Sequence, residues 1–139
     1  MKILIIEDNT ARMQYFSKWL ENIDYDITYN VSDAIELIKN NNYDVIFWDY
    51  DLGVFIDNDN VIEVNSSMII NELEKNDLLN KLSNVRHIIH SNNQVSIEKL
   101  NNYLKNITND IVVSKFDEST GTTWINNALK GKHERNISK

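Results

Sequence analysis

The 139-residue chain has no cysteine and no proline, only three glycines, and only three histidines. Without cysteine, disulfides, thiol catalysis and thiolate zinc sites are excluded. His87, His90 and His133 are too few for a histidine-rich metal centre. No apolar run approaches the ~18 residues of a membrane span, so no membrane partner is expected. The opening Met1-Lys2-Ile3-Leu4-Ile5-Ile6-Glu7-Asp8 meets acid too early for a signal peptide, and a cytoplasmic protein is expected. Basic charge is also short, at 14 Lys+Arg against 21 acids for a net charge of −7. Displacing counterions from a duplex needs a basic stripe, so a DNA partner is not expected, whereas a divalent cation is admissible.

What remains is an ordinary globular composition, 42% apolar and 25% charged, in a length that makes one domain. The 22 asparagines reflect a compositional bias rather than a low-complexity segment, and no linker or internal repeat divides the chain. Short apolar runs alternate with helical periodicity. Ile3–Ile6, Val45–Trp48, His87–His90 and Ile111–Val113 read as buried strands, and Asp26–Tyr29 as a fifth. Between them lie helices over about 11–22 with Thr10 as cap, at Val31–Ile38, over about 66–75, at Ile97–Leu104 and at Trp124–Leu129, the last stopping at Gly131. Residues 52–65 read as an irregular, extended loop carrying Asp57, Asp59 and Glu63. The expectation is a (βα)5 fold: a doubly wound five-stranded parallel sheet with right-handed crossovers and helices on both faces. The domain is expected over 1–130, with 131–139 as a flexible tail.

In such sheets ligands bind at the carboxyl ends of the strands. The predicted tips are chemically coherent: Glu7-Asp8, Asp49-Tyr50-Asp51, His90-Ser91-Asn92-Asn93 and Ser114-Lys115. Several converging carboxylates stay ionised together only if a cation neutralises them, and an all-oxygen donor set points to Mg2+ or Mn2+. A lysine and a hydroxyl opposite that ion would hold phosphoryl oxygens, and a carboxylate there can act as the nucleophile of phosphoryl transfer. His90 reads either as a general acid beside the site or as a hydrogen-bonded packing residue. His87, three residues earlier on the same strand, points to the other face.

These motifs, in this order, resemble the receiver domains of bacterial response regulators (CheY-like, flavodoxin-like in fold) over roughly residues 1–130. The resemblance implies that Asp49 accepts a phosphoryl group, that Glu7, Asp8, Asp49 and the Asp51 carbonyl hold Mg2+, and that Ser91 and Lys115 contact the phosphoryl oxygens. The chain departs from the pattern at Phe116 (usually proline), Asn92 (usually alanine or glycine) and Val112 (usually aromatic). Asp49-Tyr50-Asp51-Leu52-Gly53 and His90-Ser91-Asn92-Asn93 are more similar to the Asp-x-Asp-Leu-Gly and His-Ser-x-Asn motifs of a divergent, cyclic-phosphate-processing receiver-like family. Three functions stay open at this point. One is a stand-alone phosphoryl carrier served by a histidine kinase or phosphotransfer protein, as monomer or weak homodimer. A second is a metal-dependent phosphoesterase using Asp49, Asp51 and His90 on a phosphate-bearing small molecule or RNA end. The third is a degenerate module that only binds protein.

Overall fold

The structure, a computed structural model, describes residues 1–138, with side chains described up to Lys130. Five strands form one parallel sheet: β1 (Lys2–Ile6), β2 (Asp24–Thr28), β3 (Val45–Trp48), β6 (Arg86–Ile89) and β7 (Ile111–Val113). Their spatial order is β2-β1-β3-β6-β7, the doubly wound arrangement expected from the alternation of elements. Helix α1 (Thr10–Trp19) and helix α5 (Thr122–Ser138) accompany α2 (Val31–Asn40), α3 (Ser66–Lys75) and α4 (Gln94–Leu104). Among the described residues, no helix is long and apolar enough to cross a membrane.

Two buried clusters reflect the two faces of the sheet. Strand side chains alternate faces, and laterally paired residues of parallel strands share one. Ile5, Phe47, Ile88 and Val112 stand in register and pack against Phe16 of α1, its C-cap Leu20, and Trp124, Ile125 and Ala128 of α5. Leu4, Ile6, Ile46, Trp48 and Ile89 face the other way, onto Ala34, Ile38, Ile69, Leu73, Leu100 and Leu104 of α2, α3 and α4. β1 and β3 read as continuous apolar runs because both of their faces are covered.

Three expectations need correction. Residues 52–65 are not irregular: β4 (Asp51–Asp57) and β5 (Asn60–Asn65) form an antiparallel hairpin. Asp57 pairs with Asn60 across a two-residue turn in which Asn58 and Asp59 have φ of 50° and 68°. Positive φ at both central positions is the turn geometry that matches strand twist, and Asn and Asp tolerate it. The cap of α1 is Asn9, not Thr10: the Asn9 Oδ1 accepts from the Arg12 amide at 3.0 Å. The last helix does not stop at Gly131 but continues to Ser138, since one interior glycine costs only about 1 kcal/mol relative to alanine. Side chains of the tail, His133 included, lie outside those described.

Candidate functional site

The sheet hydrogen bonding runs one residue past the ends of the central strands. Asp49 N donates to Ile6 O at 3.0 Å, His90 N to Trp48 O at 3.0 Å, and Ser114 N to Ile89 O at 2.9 Å. The residues after the strands, Glu7, Asp49 and His90, are therefore held side by side on the α1/α5 face. A polar triplet so placed needs mutual satisfaction, because burial without partners costs several kcal/mol. It is satisfied in part by its own members. His90 Nε2 lies 2.8 Å from Glu7 Oε1, while the Asp8 and Asn9 amides each donate to Glu7 Oε2 at 3.1 Å. Ser91 Oγ donates to Asp49 Oδ1 at 2.9 Å and accepts from the Tyr50 amide at 2.9 Å.

The three groups do not share one environment. Glu7 and His90 are completely buried, whereas Asp49 retains 8% exposure and opens outward. Burial by itself would raise the Glu7 carboxyl. The His90 contact and the Asn9 amide outweigh it and hold the group at about 2. Asp49 moves the opposite way, to about 7, through burial first and then the adjacent Glu7 charge, with Ser91 and Arg12 opposing. Burial also pushes His90 down, toward the neutral imidazole.

Asp49 looks into an open depression of about 350 Å3 that Asp8, Asp51, Arg12, Ser91 and Asn93 also line. Asp8 is raised by burial and by the charges of Glu7 and Asp51. Ser96 Oγ donates to Asp51 Oδ2 at 3.2 Å. Gly53, at φ +98°, lets the backbone pass close to Asp8: a Cβ there would lie 3.4 Å from Asp8 Oδ2. The hairpin is tied back beneath the site, where Ser66 Oγ donates to the Asp49 carbonyl and Ser66 N to Tyr50 O at 2.8 Å.

The structure brings Asp8, Asp49, Asp51 and Ser91 to this one depression, with Glu7 behind Asp49. His90 lies beneath the depression rather than in it. Lys115 is exposed and forms no ion pair with Asp8, Asp49 or Glu7. The cation beside the carboxylates is one that sequence reasoning passed over, Arg12. Its Nη1 is 3.6 Å from Glu7 Oε1 and 3.9 Å from Asp49 Oδ2. The only sequence signal for it is a basic residue in the first helical turn, directly after an acidic strand tip.

A divalent cation fits this donor set. Carboxylate oxygens crowd within one small volume, and Glu7, Asp49 and His90 each place a ligand atom within 4.8 Å of the others. Burial first and the Glu7 charge second raise the Asp8 and Asp49 carboxyls, and Arg12 offsets this only in part. Asp8 and Asp49, which are partly open to solvent, suit a hard ion that keeps waters. His90 is withheld by its bond to Glu7.

Over 88 residues the chain is 31% identical to hybrid signal transduction histidine kinase B of Dictyostelium discoideum, a match spanning 62% of this chain and 4% of the kinase. Solved receiver structures share the fold. A two-component response regulator of Clostridium difficile superposes with a TM-score of 0.59 at 20% identity, covering 97% of each chain. The receiver domain of Francisella response regulator 1452 gives 0.56 at 22% identity, over 93% of this chain and 96% of that one. Response regulator TrrA of Thermotoga maritima, solved in complex with Mg(2+)-BeF, gives 0.54 at 14% identity, over 92% and 98%. The model of the cyclic-phosphate processing receiver domain matches residues 3–106, three-quarters of the sequence, and the chain belongs to that family.

Proposed function

We propose that this receiver domain carries out divalent-cation-dependent phosphoryl chemistry with Asp49 as the acceptor. The observation that carries the reading is the convergence of Asp8, Asp49, Asp51, Ser91 and Arg12 on one open depression. Asp8 and Asp49, with Asp51 at the rim and Glu7 behind, would hold Mg2+, which neutralises carboxylate and phosphoryl charge together. Phosphoryl transfer asks the protein mainly for positioning and charge. Ser91 Oγ orients Asp49 Oδ1 through its 2.9 Å bond, and Oδ2 lies 3.9 Å from Arg12 Nη1. One Asp49 oxygen forms the bond to phosphorus while the bond to the donor's leaving group breaks, the leaving group departing with the electron pair. Hydrolysis reverses the gain: water attacks phosphorus, the bond to Asp49 breaks, and inorganic phosphate leaves. Asp51 is exposed two residues on and is the carboxylate available to take the water's proton. The phosphodonors in this reading are a histidine kinase or phosphotransfer protein.

A second reading, a phosphoesterase, is favoured by one observation. A polar trough of about 420 Å3, lined by Asn65, Asn93, Ser96, Lys99 and Glu63, adjoins the depression and shares Asp51, Gly53 and Asn93 with it. It offers room for the organic part of a phosphate ester, a cyclic phosphate or an RNA end. In either reading His90 acts through Glu7 as a positioning residue.

Acetyl phosphate with Mg2+ tests the carrier. Intact mass spectrometry should show one phosphoryl group added to the wild type and none to Asp49→Asn, and an unmodified wild type under saturating donor overturns the reading. Turnover of 2′,3′-cyclic nucleotides that is lost in Asp51→Asn establishes the esterase; rates at background in the wild type remove it.

A further inference from the structure

We infer that Arg12, rather than Lys115, is the side chain that binds the phosphoryl oxygens at Asp49. The inference rests on the phosphoryl reading of the depression and concerns which cation completes it.

Four observations support Arg12. Its guanidinium Nη1 stands 3.9 Å from Asp49 Oδ2 and 3.6 Å from Glu7 Oε1, and its side chain lines the depression with Asp8 and Ser91. The guanidinium lies over the Phe116 ring, 5.3 Å from its centroid. That ring is itself fixed by Phe16, Trp19 and Trp124, with centroids 5.6, 5.5 and 5.1 Å away. A guanidinium stacked on a fixed ring keeps its fork oriented and loses little freedom on binding an anion.

Position adds a further argument. Arg12 lies in the first turn of α1, where its amide is taken by the Asn9 cap and where no acid is present. A cation there opposes the helix dipole, since the amino end favours negative groups. A locally unfavourable charge retained beside reactive carboxylates has its compensation in the site. The Arg12 amide is committed to the cap, so what the residue presents toward the depression is its guanidinium, a planar fork suited to phosphoryl oxygens.

Lys115 lacks each of these features. It is exposed, does not line the depression, and pairs with neither Asp49 nor Glu7. The residue after it is the phenylalanine that carries Arg12. The same segment therefore supplies the platform for the guanidinium in place of an ammonium.

The test is calorimetric titration of beryllofluoride in the presence of Mg2+, with Mg2+ alone as a separate arm, on the whole chain. Arg12→Ala and Arg12→Gln should weaken beryllofluoride binding by about tenfold or more and leave Mg2+ binding undiminished. Lys115→Ala should stay within about threefold of wild type. Where Arg12→Ala does not fold, as judged by its melting transition, Arg12→Gln decides. Beryllofluoride binding retained in the Arg12 variants, or lost in Lys115→Ala as fully as in Arg12→Gln, overturns the assignment while the phosphoryl site stands. A wild type that binds Mg2+ but no beryllofluoride overturns the phosphoryl reading itself, and the assignment with it.

Discussion

Glu7 and His90, 83 residues apart in sequence, meet at 2.8 Å with neither side chain exposed. Among the described residues His90 Nδ1 has no hydrogen-bond partner, so a charged imidazolium would bury an unmet N–H. The neutral ring donating through Nε2 to an ionised Glu7 is the state consistent with both groups. Glu7 in turn bears on Asp49, whose carboxyl its charge helps to raise. The imidazole thus sets the acceptor's surroundings from below without touching a ligand.

Truncating His90 should leave Glu7 charged and short of a partner. Removing the donor to a buried carboxylate leaves that charge unsatisfied at a cost of about 3 kcal/mol, so His90→Ala should lose stability on that scale in urea unfolding. Glu7→Gln keeps an acceptor for Nε2 and should lose less. In the double variant the two losses should fall short of their sum by more than about 0.5 kcal/mol; simple additivity would mean the contact carries no energy.

His87 supplies a pH dependence of a different origin. It faces the opposite side of the sheet, where its Nδ1 accepts from Trp48 Nε1 at 2.8 Å and its Nε2 donates to Leu82 O at 2.8 Å. Both nitrogens are used by the neutral ring, and a proton on Nδ1 would break the indole bond. Burial holds the group at about 4, below its ordinary 6.5. The unfolded chain then binds the proton first, so this contribution is complete above pH 6.5 and is lost as pH falls from there through about 4. It amounts to about 3 kcal/mol across the window. His87→Gln should flatten that part of the wild-type stability profile, and an unchanged slope between wild type and variant would place the titration elsewhere.

The two histidines also mark what the sequence discloses. Their three-residue spacing sets opposite faces, and the sheet places them so. The buried runs of β1 and β3, and the tips that follow them, were legible because a strand covered on both faces must be apolar until the residue where it meets solvent. The hairpin was not. Val54, Phe55 and Ile56 are 63%, 51% and 73% exposed, so no burial imposes the alternation by which strands are recognised. Its turn is Asn-Asp rather than the stronger Asn-Gly signal. Arg12 was hidden for a related reason. Its importance comes from Phe116, brought to it by β7 from more than a hundred residues away, a relation no local pattern contains.

Gly53 tests whether backbone shape is part of the site. Its φ of +98° is strained for any side chain, and an added Cβ would come to 3.4 Å from Asp8 Oδ2. Gly53→Ala should lose about 1–3 kcal/mol in urea unfolding from the backbone alone. Because this irregular stretch of β4 also holds the rim beside Asp8 and Asp51, the variant should bind Mg2+ more weakly than wild type when titrated calorimetrically. A stability loss with metal affinity intact would confine the glycine to shaping the strand backbone.

Metal and carboxylates should leave opposite signatures on the same variant. In the metal-free protein Glu7 and Asp49 repel each other across a buried contact, relieved only in part by Arg12 at 3.6 and 3.9 Å. Asp49→Asn removes that repulsion, so without Mg2+ the variant should melt above wild type. Adding Mg2+ should reverse the order. A ligand that binds only the folded state stabilises by about 2.7 kcal/mol at one hundred times its dissociation constant. That gain needs the Asp49 charge and should largely vanish in Asp49→Asn and in Asp8→Ala. Asp57→Ala, in the exposed hairpin away from the depression, should keep the full gain. Melting curves of the four proteins with and without Mg2+ decide it. Equal increments throughout would put the ion elsewhere on an acidic surface, and a metal-free Asp49→Asn less stable than wild type would mean that Arg12 already balances the pair.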